Sequence, residues 1–326
     1  EFMEHASTAA LPAYLPVDGQ DLHVALTEID RRLNASYPGR LGHRALLGYS
    51  MGAFESLFIA ATSTTKQYSV VTPRRELFLF EGKHDVKEVN IAPVTNQVPL
   101  IQFDRYVAIS PPVRLMYGIS KLDEFYQAPM KWPETNRTDN IENTFLKVAA
   151  LSQNTLTPQT TLPFNAIESK FLIGLTFRLI LRDVIYDSQQ RDNLGVLHHP
   201  LWNWRRNPVY QEILQYSYED YFEKFAIPYY SARGLASPVA ETMEKAGDLQ
   251  TYAADLRANP DIRVICNQND FLLSDEDLAW LHTTFATDQL TVFPQGGHLG
   301  NLSNPTVQKS ILGALAGLKL PQPKSK

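Results

Sequence analysis

The chain has 326 residues, 44% of them hydrophobic, with a formal net charge of −5. That is enough apolar material for one large domain, or a domain with an inserted module, and the charge offers no pull toward nucleic acid or an anionic membrane surface. Cys266 is the single cysteine, so an internal disulfide and a cysteine-built metal cluster are excluded; no zinc-type His/Cys spacing and no phosphate-binding glycine loop occurs.

Glu1-Phe2 ahead of Met3 reads as a cloning scar, and no signal peptide follows. Residues 5–20 are rich in Pro and Ala and predict a loop. From Asp21, Leu22, Ala25, Leu26, Ile29 and Leu33 fall on one helical face, so a helix is predicted there, ended by the Pro and Gly of "YPGRLGH". "RALLG" (44–48) is a short apolar run with the character of a buried strand, and Ser50 follows at once. Phe54, Leu57, Phe58 and Ala61 then keep helical spacing. The segment 67–102 predicts loop with strand pieces, "RRELFLFEG" being the best of them. "RYVAIS" (105–110) predicts another buried strand, stopped by Pro111-Pro112.

Residues 119–250 differ in character. They are rich in aromatics and helix formers and predict an inserted, mostly helical module. The longest apolar run, Phe171 to Arg182, is interrupted by Arg178 and Arg182; no run reaches the roughly 18 residues of a membrane span, so a buried helix is expected. Strand and helix alternate again at the end. "IRVIC" (262–266) predicts a strand, followed by "NQND". Ser274 with Asp277 forms a capping box ahead of Leu278, Leu281 and Phe285. "LTVFP" (290–294) predicts a strand, then "QGGHLGN". Asn304-Pro305 opens a last helix with Val307, Ile311, Leu312, Leu315 and Leu318 expected to face inward. Such alternation implies an α/β fold: a mainly parallel sheet with helices on both faces.

The chemistry centres on "GYSMGA" (48–53), a serine two residues from a glycine on either side, set between a predicted strand and a predicted helix. Gly48 and Gly52 are expected to clear space for a sharp turn that exposes Ser50, and the Met51 backbone N–H at the helix start is free to donate to an oxyanion. A serine hydroxyl needs a base. Of eight histidines, His298 alone follows a strand in a glycine-flanked loop, whereas His23 and His43 are expected to be solvated. Asp270, just past "IRVIC", is the expected acid; Asp275 and Asp277 are accounted for by helix capping.

The order Ser50, Asp270, His298, with "GYSMGA" and "GGHLGN" around its first and last members, resembles the α/β-hydrolase superfamily over residues 21–118 and 255–326. The resemblance implies a hydrolase core in 1–118 and 251–326 with a cap in 119–250. It implies Ser50 as nucleophile, His298 as base, Asp270 as orienting acid and Met51 as oxyanion donor, with no metal or organic cofactor. The expected substrate is a small carboxylic ester, and the aromatic-rich cap points to an apolar or aromatic acyl group. A serine peptidase of the same fold is the alternative, with Glu124, Asp139 and Glu142 available to meet a substrate amine; so is a catalytically crippled, ligand-binding relative. One departure stands out. The residues before Gly48 hold about one helix and no His-Gly or Gly-Gly pair. The expectation is therefore that upstream strands and a second oxyanion donor are missing, leaving a sheet edge open to pairing with a second copy.

Overall fold

A computed structural model describes residues 6–62, 68–70, 96–98, 100–152, 162–202, 204–316 and 318. Its centre is a four-stranded, fully parallel sheet: β1 (Ala45–Tyr49), β4 (Arg105–Ile109), β5 (Ile262–Asn267) and β6 (Leu290–Phe293), in that spatial order. Gly48 lies opposite Ala108, Ala108 opposite Val264, and Val264 opposite Leu290. The strands between the first and last of this order, β4 and β5, are buried almost throughout, as near-continuous apolar runs of a doubly covered sheet should be. Two short strands, β2 (Tyr68–Val70) and β3 (Asn96–Val98), pair antiparallel outside that sheet. "RRELFLFEG" lies outside the described residues.

Helices cover both faces. On one, Tyr106 and Ala108 of β4 and Ile262, Val264 and Cys266 of β5 meet Phe54, Leu57 and Phe58 of α2 (Met51–Thr62), with α1 (Leu15–Ser36) packed behind it. Each such fully buried Phe or Leu contributes about 1.5–3 kcal/mol. On the other, Val107, Ile109 and Ile265 meet Ala314, with Ile311 and Leu315 beside it, from a helix at Pro305–Leu315.

Between β4 and β5 the described residues form helices and loops, with one isolated β-bridge between Arg114 and Asp248. The α-helices among them are α3 (Leu115–Tyr126), α4 (Glu134–Ser152), α5 (Ala166–Arg191), α6 (Asn207–Ile213), α7 (Tyr218–Tyr221), α8 (Ile227–Ala232), α9 (Val239–Ala246) and α10 (Ala253–Ala258). Then come α11 (Asp275–Thr284) after β5 and α12 (Pro305–Leu315) after β6. No described helix is long and apolar enough to cross a membrane.

Four expectations need correction. α1 begins at Leu15, not Asp21, because Pro16 occupies a first-turn position where its missing N–H is no loss. The strand at "RALLG", expected to be buried, is mostly exposed, Leu47 at 40%, because β1 has a neighbour on one side only among the described residues. The Pro/Ala-rich lead before α1 is loop, as expected. Ala9, Ala10 and Leu11 are buried against Tyr186, Tyr229 and Tyr230. His23 is 2% exposed and its Nε2 sits 2.7 Å from the carbonyl of Ile101; burial lowers its pKa. Leu312 is 69% exposed, since α12 turns only Val307, Ile311, Ala314 and Leu315 toward the core. The capping box of Ser274 and Asp277 is present, and Asp277 also binds Arg114 at 2.8 Å.

Candidate active site

Ser50, Asp270 and His298 all follow carboxyl ends of the parallel strands, where an α/β sheet collects its functional loops. Ser50 occupies the step between β1 and α2 with φ 54°, a left-handed conformation rare for serine. Its N–H remains tied to the sheet through Ile109 O at 2.9 Å, while its own carbonyl already accepts from Ala53 and Phe54. The chain thus changes from strand to helix across one residue. Gly48 permits this: a Cβ there would stand 2.1 Å from the Gly52 carbonyl oxygen. Gly52 does not have the crowding expected of it, for a Cβ would meet nothing within 4 Å. Met51 opens α2, so its N–H belongs to the first turn, where no intrahelical acceptor exists.

The three residues singled out in sequence meet in space. Ser50 Oγ lies 2.8 Å from His298 Nε2. On the far side of the ring, Nδ1 lies 3.0 and 2.9 Å from the two oxygens of Asp270. A carboxylate can only accept, so Nδ1 carries the proton and Nε2 presents its lone pair to the serine hydroxyl. The Asp270 side chain is wholly buried and that of His298 only 7% exposed, which keeps water from competing for the pair. The Leu272 amide fixes Asp270 Oδ1 at 3.0 Å. Phe271 sets its ring edge-on to His298, centroids 5.4 Å apart, and is backed in turn by Phe125 of α3 at 4.8 Å.

Several residues of this site were not singled out in sequence. The histidine loop is pinned to the end of β5 by three asparagines. Asn267 Nδ2 donates to Gly297 O at 2.8 Å, Asn269 Oδ1 accepts from Gly297 N at 2.8 Å, and Asn301 Nδ2 donates to Gln295 O at 3.1 Å. Gly296, at φ 151°, has no room for a side chain: a Cβ would stand 2.3 Å from Asn301 Nδ2 and 2.5 Å from Asn267 Oδ1. Their signal lay in the flanks of "NQND" and "GGHLGN", but each asparagine also suits a turn. Ser110, in line with Ser50 at the end of β4, shares the left-handed backbone at φ 49° and donates its N–H to Ile265 O.

The acids first considered for an amine are otherwise engaged or remote. Glu124 pairs with Lys121 at 2.8 Å, and Asp139 and Glu142 stand exposed on α4. Most of the aromatic block serves as core for its own module: Tyr221, Phe222, Phe225, Tyr229 and Tyr230 are buried together, while Trp202 and Trp204 are exposed. Cys266 is buried under the site with its thiol pushed up to about 12, chiefly by burial, so it is no competing nucleophile. Among the described residues no group of three acidic, His or Cys side chains is arranged to hold a metal ion.

Comparison with models of known protein families finds no match for this chain, and comparison with curated proteins finds none either.

Proposed function

We propose that the protein is a serine hydrolase of α/β-hydrolase type that cleaves carboxylic esters through an acyl-enzyme on Ser50. One observation carries this reading: the unbroken relay from Ser50 Oγ to His298 Nε2 at 2.8 Å and from His298 Nδ1 to Asp270. In the reaction, Ser50 Oγ attacks the acyl carbon as His298 Nε2 takes its proton. Asp270 holds the ring in the reactive tautomer and stabilises the imidazolium. The carbonyl oxygen gains negative charge facing the Met51 N–H and the positive end of α2. His298 then hands the proton to the departing alcohol, and water, activated by the same ring, frees the acyl group. Phe271 offers an apolar wall beside the base for an apolar or aromatic acyl group. In this reading the helical stretch between β4 and β5 is the cap.

The test is labelling by a fluorophosphonate together with hydrolysis of p-nitrophenyl butyrate. Both are expected in the native protein and absent from Ser50→Ala, with a rate loss on the order of 10⁴-fold or more. Equal activity in the two proteins would overturn the assignment.

A further inference from the structure

The helical stretch between β4 and β5 departs through Val113 and Arg114 and returns through Gly247, Asp248 and Leu249, and these two passages run side by side. Leu249 N donates to Val113 O at 3.0 Å, Leu115 N donates to Gly247 O at 2.9 Å, and Arg114 and Asp248 pair as an antiparallel bridge. Arg114 reaches out of this neck. Its Nε donates to Asp277 Oδ1 at 2.8 Å, and its Nη2 donates to Asp277 Oδ2 at 3.3 Å and to Ser274 Oγ at 2.8 Å. The Asp277 side chain is wholly buried. Two bonds from one guanidinium to one carboxylate form a planar fork that a lysine cannot reproduce.

Ser274 and Asp277 are the capping box of α11, so Arg114 grips the point where the segment after β5 turns into that helix. A capping box satisfies the first N–H groups of its helix by itself. The added guanidinium does something else: it ties the box to a residue 163 positions away. Asp270 stands just before this point, and the residues between lie along α3, the helix that Arg114 precedes. Phe271 packs on Phe125, ring centroids 4.8 Å apart, and Leu272 closes on Gly118, where a Cβ would come 3.7 Å from Leu272 Cδ2. These two residues are also the ones that frame the relay. Leu272 gives the N–H that holds Asp270 Oδ1, and Phe271 stands edge-on to His298. One helix and the arginine at its start thus hold the whole turn on which the Asp270 carboxylate depends.

We propose that Arg114 is a positioning residue for Asp270: it docks the neck of the helical stretch on the turn after β5, so that α3 sets where the carboxylate meets His298. Its kinetic consequence rests on the reading of Ser50, Asp270 and His298 as a catalytic relay.

The test uses Arg114→Met and the milder Arg114→Lys, which keeps the charge and loses the fork. Hydrolysis of p-nitrophenyl butyrate by Arg114→Met should show kcat lowered by roughly 10–100-fold with KM little changed, the effect of a misplacement of about 1 Å. Arg114→Lys should lose less. Asp277→Asn should act like Arg114→Met, and the double variant should be no worse than the more impaired single one, because both remove the same clamp. The second readout needs no turnover. In proton NMR the Nδ1–H of His298, held by a carboxylate, should give a far-downfield signal that Asp270→Asn removes and that both Arg114 variants shift or broaden. An unchanged kcat, a change confined to KM, or a signal unmoved in Arg114→Met would overturn the inference, as would a native chain with no such signal. If the native protein neither hydrolyses the ester nor takes the fluorophosphonate label, the reading of Ser50 fails, and the proton signal alone decides on Arg114. Should Arg114→Met not fold, Arg114→Lys decides by the same two readouts.

Discussion

Asn267 and Asn301 pair their side-chain amides, with Asn301 Nδ2 2.7 Å from Asn267 Oδ1 and Asn267 Nδ2 3.2 Å from Asn301 Oδ1. This pair locks the loop carrying His298 onto the strand that leads to Asp270, and so sets the distance between those two side chains, base and acid in the proposed reading. Asn301→Ala is expected to lower kcat by roughly 10–100-fold with KM little changed, since a misplacement of about 1 Å at the base has that effect. Ester kinetics read the split; a change confined to KM would show that the pair does not position the base.

Asp270→Asn should lower turnover by roughly 10⁴-fold, because an amide facing Nδ1 favours the wrong tautomer of His298. Asp275→Asn, on the exposed first turn of α11, should change it little. The pair of variants assayed side by side assigns the acid, and the reverse ranking would move it to Asp275.

Glu55 makes stability depend on pH with a definite sign. Burial raises its pKa from 4.5 to about 7, and burial pushes Asp18 the same way. Between those values the folded chain keeps a proton that the unfolded chain has released. The stabilising difference is therefore fully present below 4.5 and is lost as pH rises to about 7. Denaturant melts at a series of pH values should show stability falling across that window, with a smaller fall in Glu55→Gln. Identical slopes in the two proteins would rule Glu55 out as the cause.

Among the described residues β1 has a neighbour on one side only, and its Leu47 and Tyr49 are 40% and 61% exposed. An open edge with apolar side chains is a surface for pairing with another strand, and a lysine on such an edge discourages it. Sedimentation at rising concentration should show self-association of the native chain and much less in Leu47→Lys. A native chain that stays monomeric throughout would remove the edge as an interface.

What could be read from sequence, and what could not, divides along physical lines. The four strands of the main sheet announced themselves as short apolar runs ended by turn residues, and Ser50, Asp270 and His298 each sit just past one. These signals are local. His23 could not be read this way, because its partner, the Ile101 carbonyl, is 78 residues distant. Nor could the asparagine pair, whose members are 34 residues apart. Pro16 misled for a different reason: proline breaks a helix interior but starts a helix well, and composition alone does not say which position it holds. Leu312 fits an apolar stripe that the flat contact between α12 and the sheet is too narrow to cover. For the aromatics, the amount of apolar surface was evident and its destination was not.

Three tyrosine hydroxyls close over the lead into α1. Tyr229 accepts from Ala10 N at 2.6 Å, Tyr230 donates to Leu11 O and Tyr221 donates to Pro12 O. The first two of these contacts join residues 219 positions apart. A module whose packing includes a strand of chain so remote cannot finish assembling from its own continuous stretch; it must wait for a very large loop to close, which makes its last step slow and of high contact order. The amide of Ala10 is then a reporter on the whole aromatic module. Its exchange with solvent should require the module to open, and so should run far slower than its place near the start of the chain would lead one to expect.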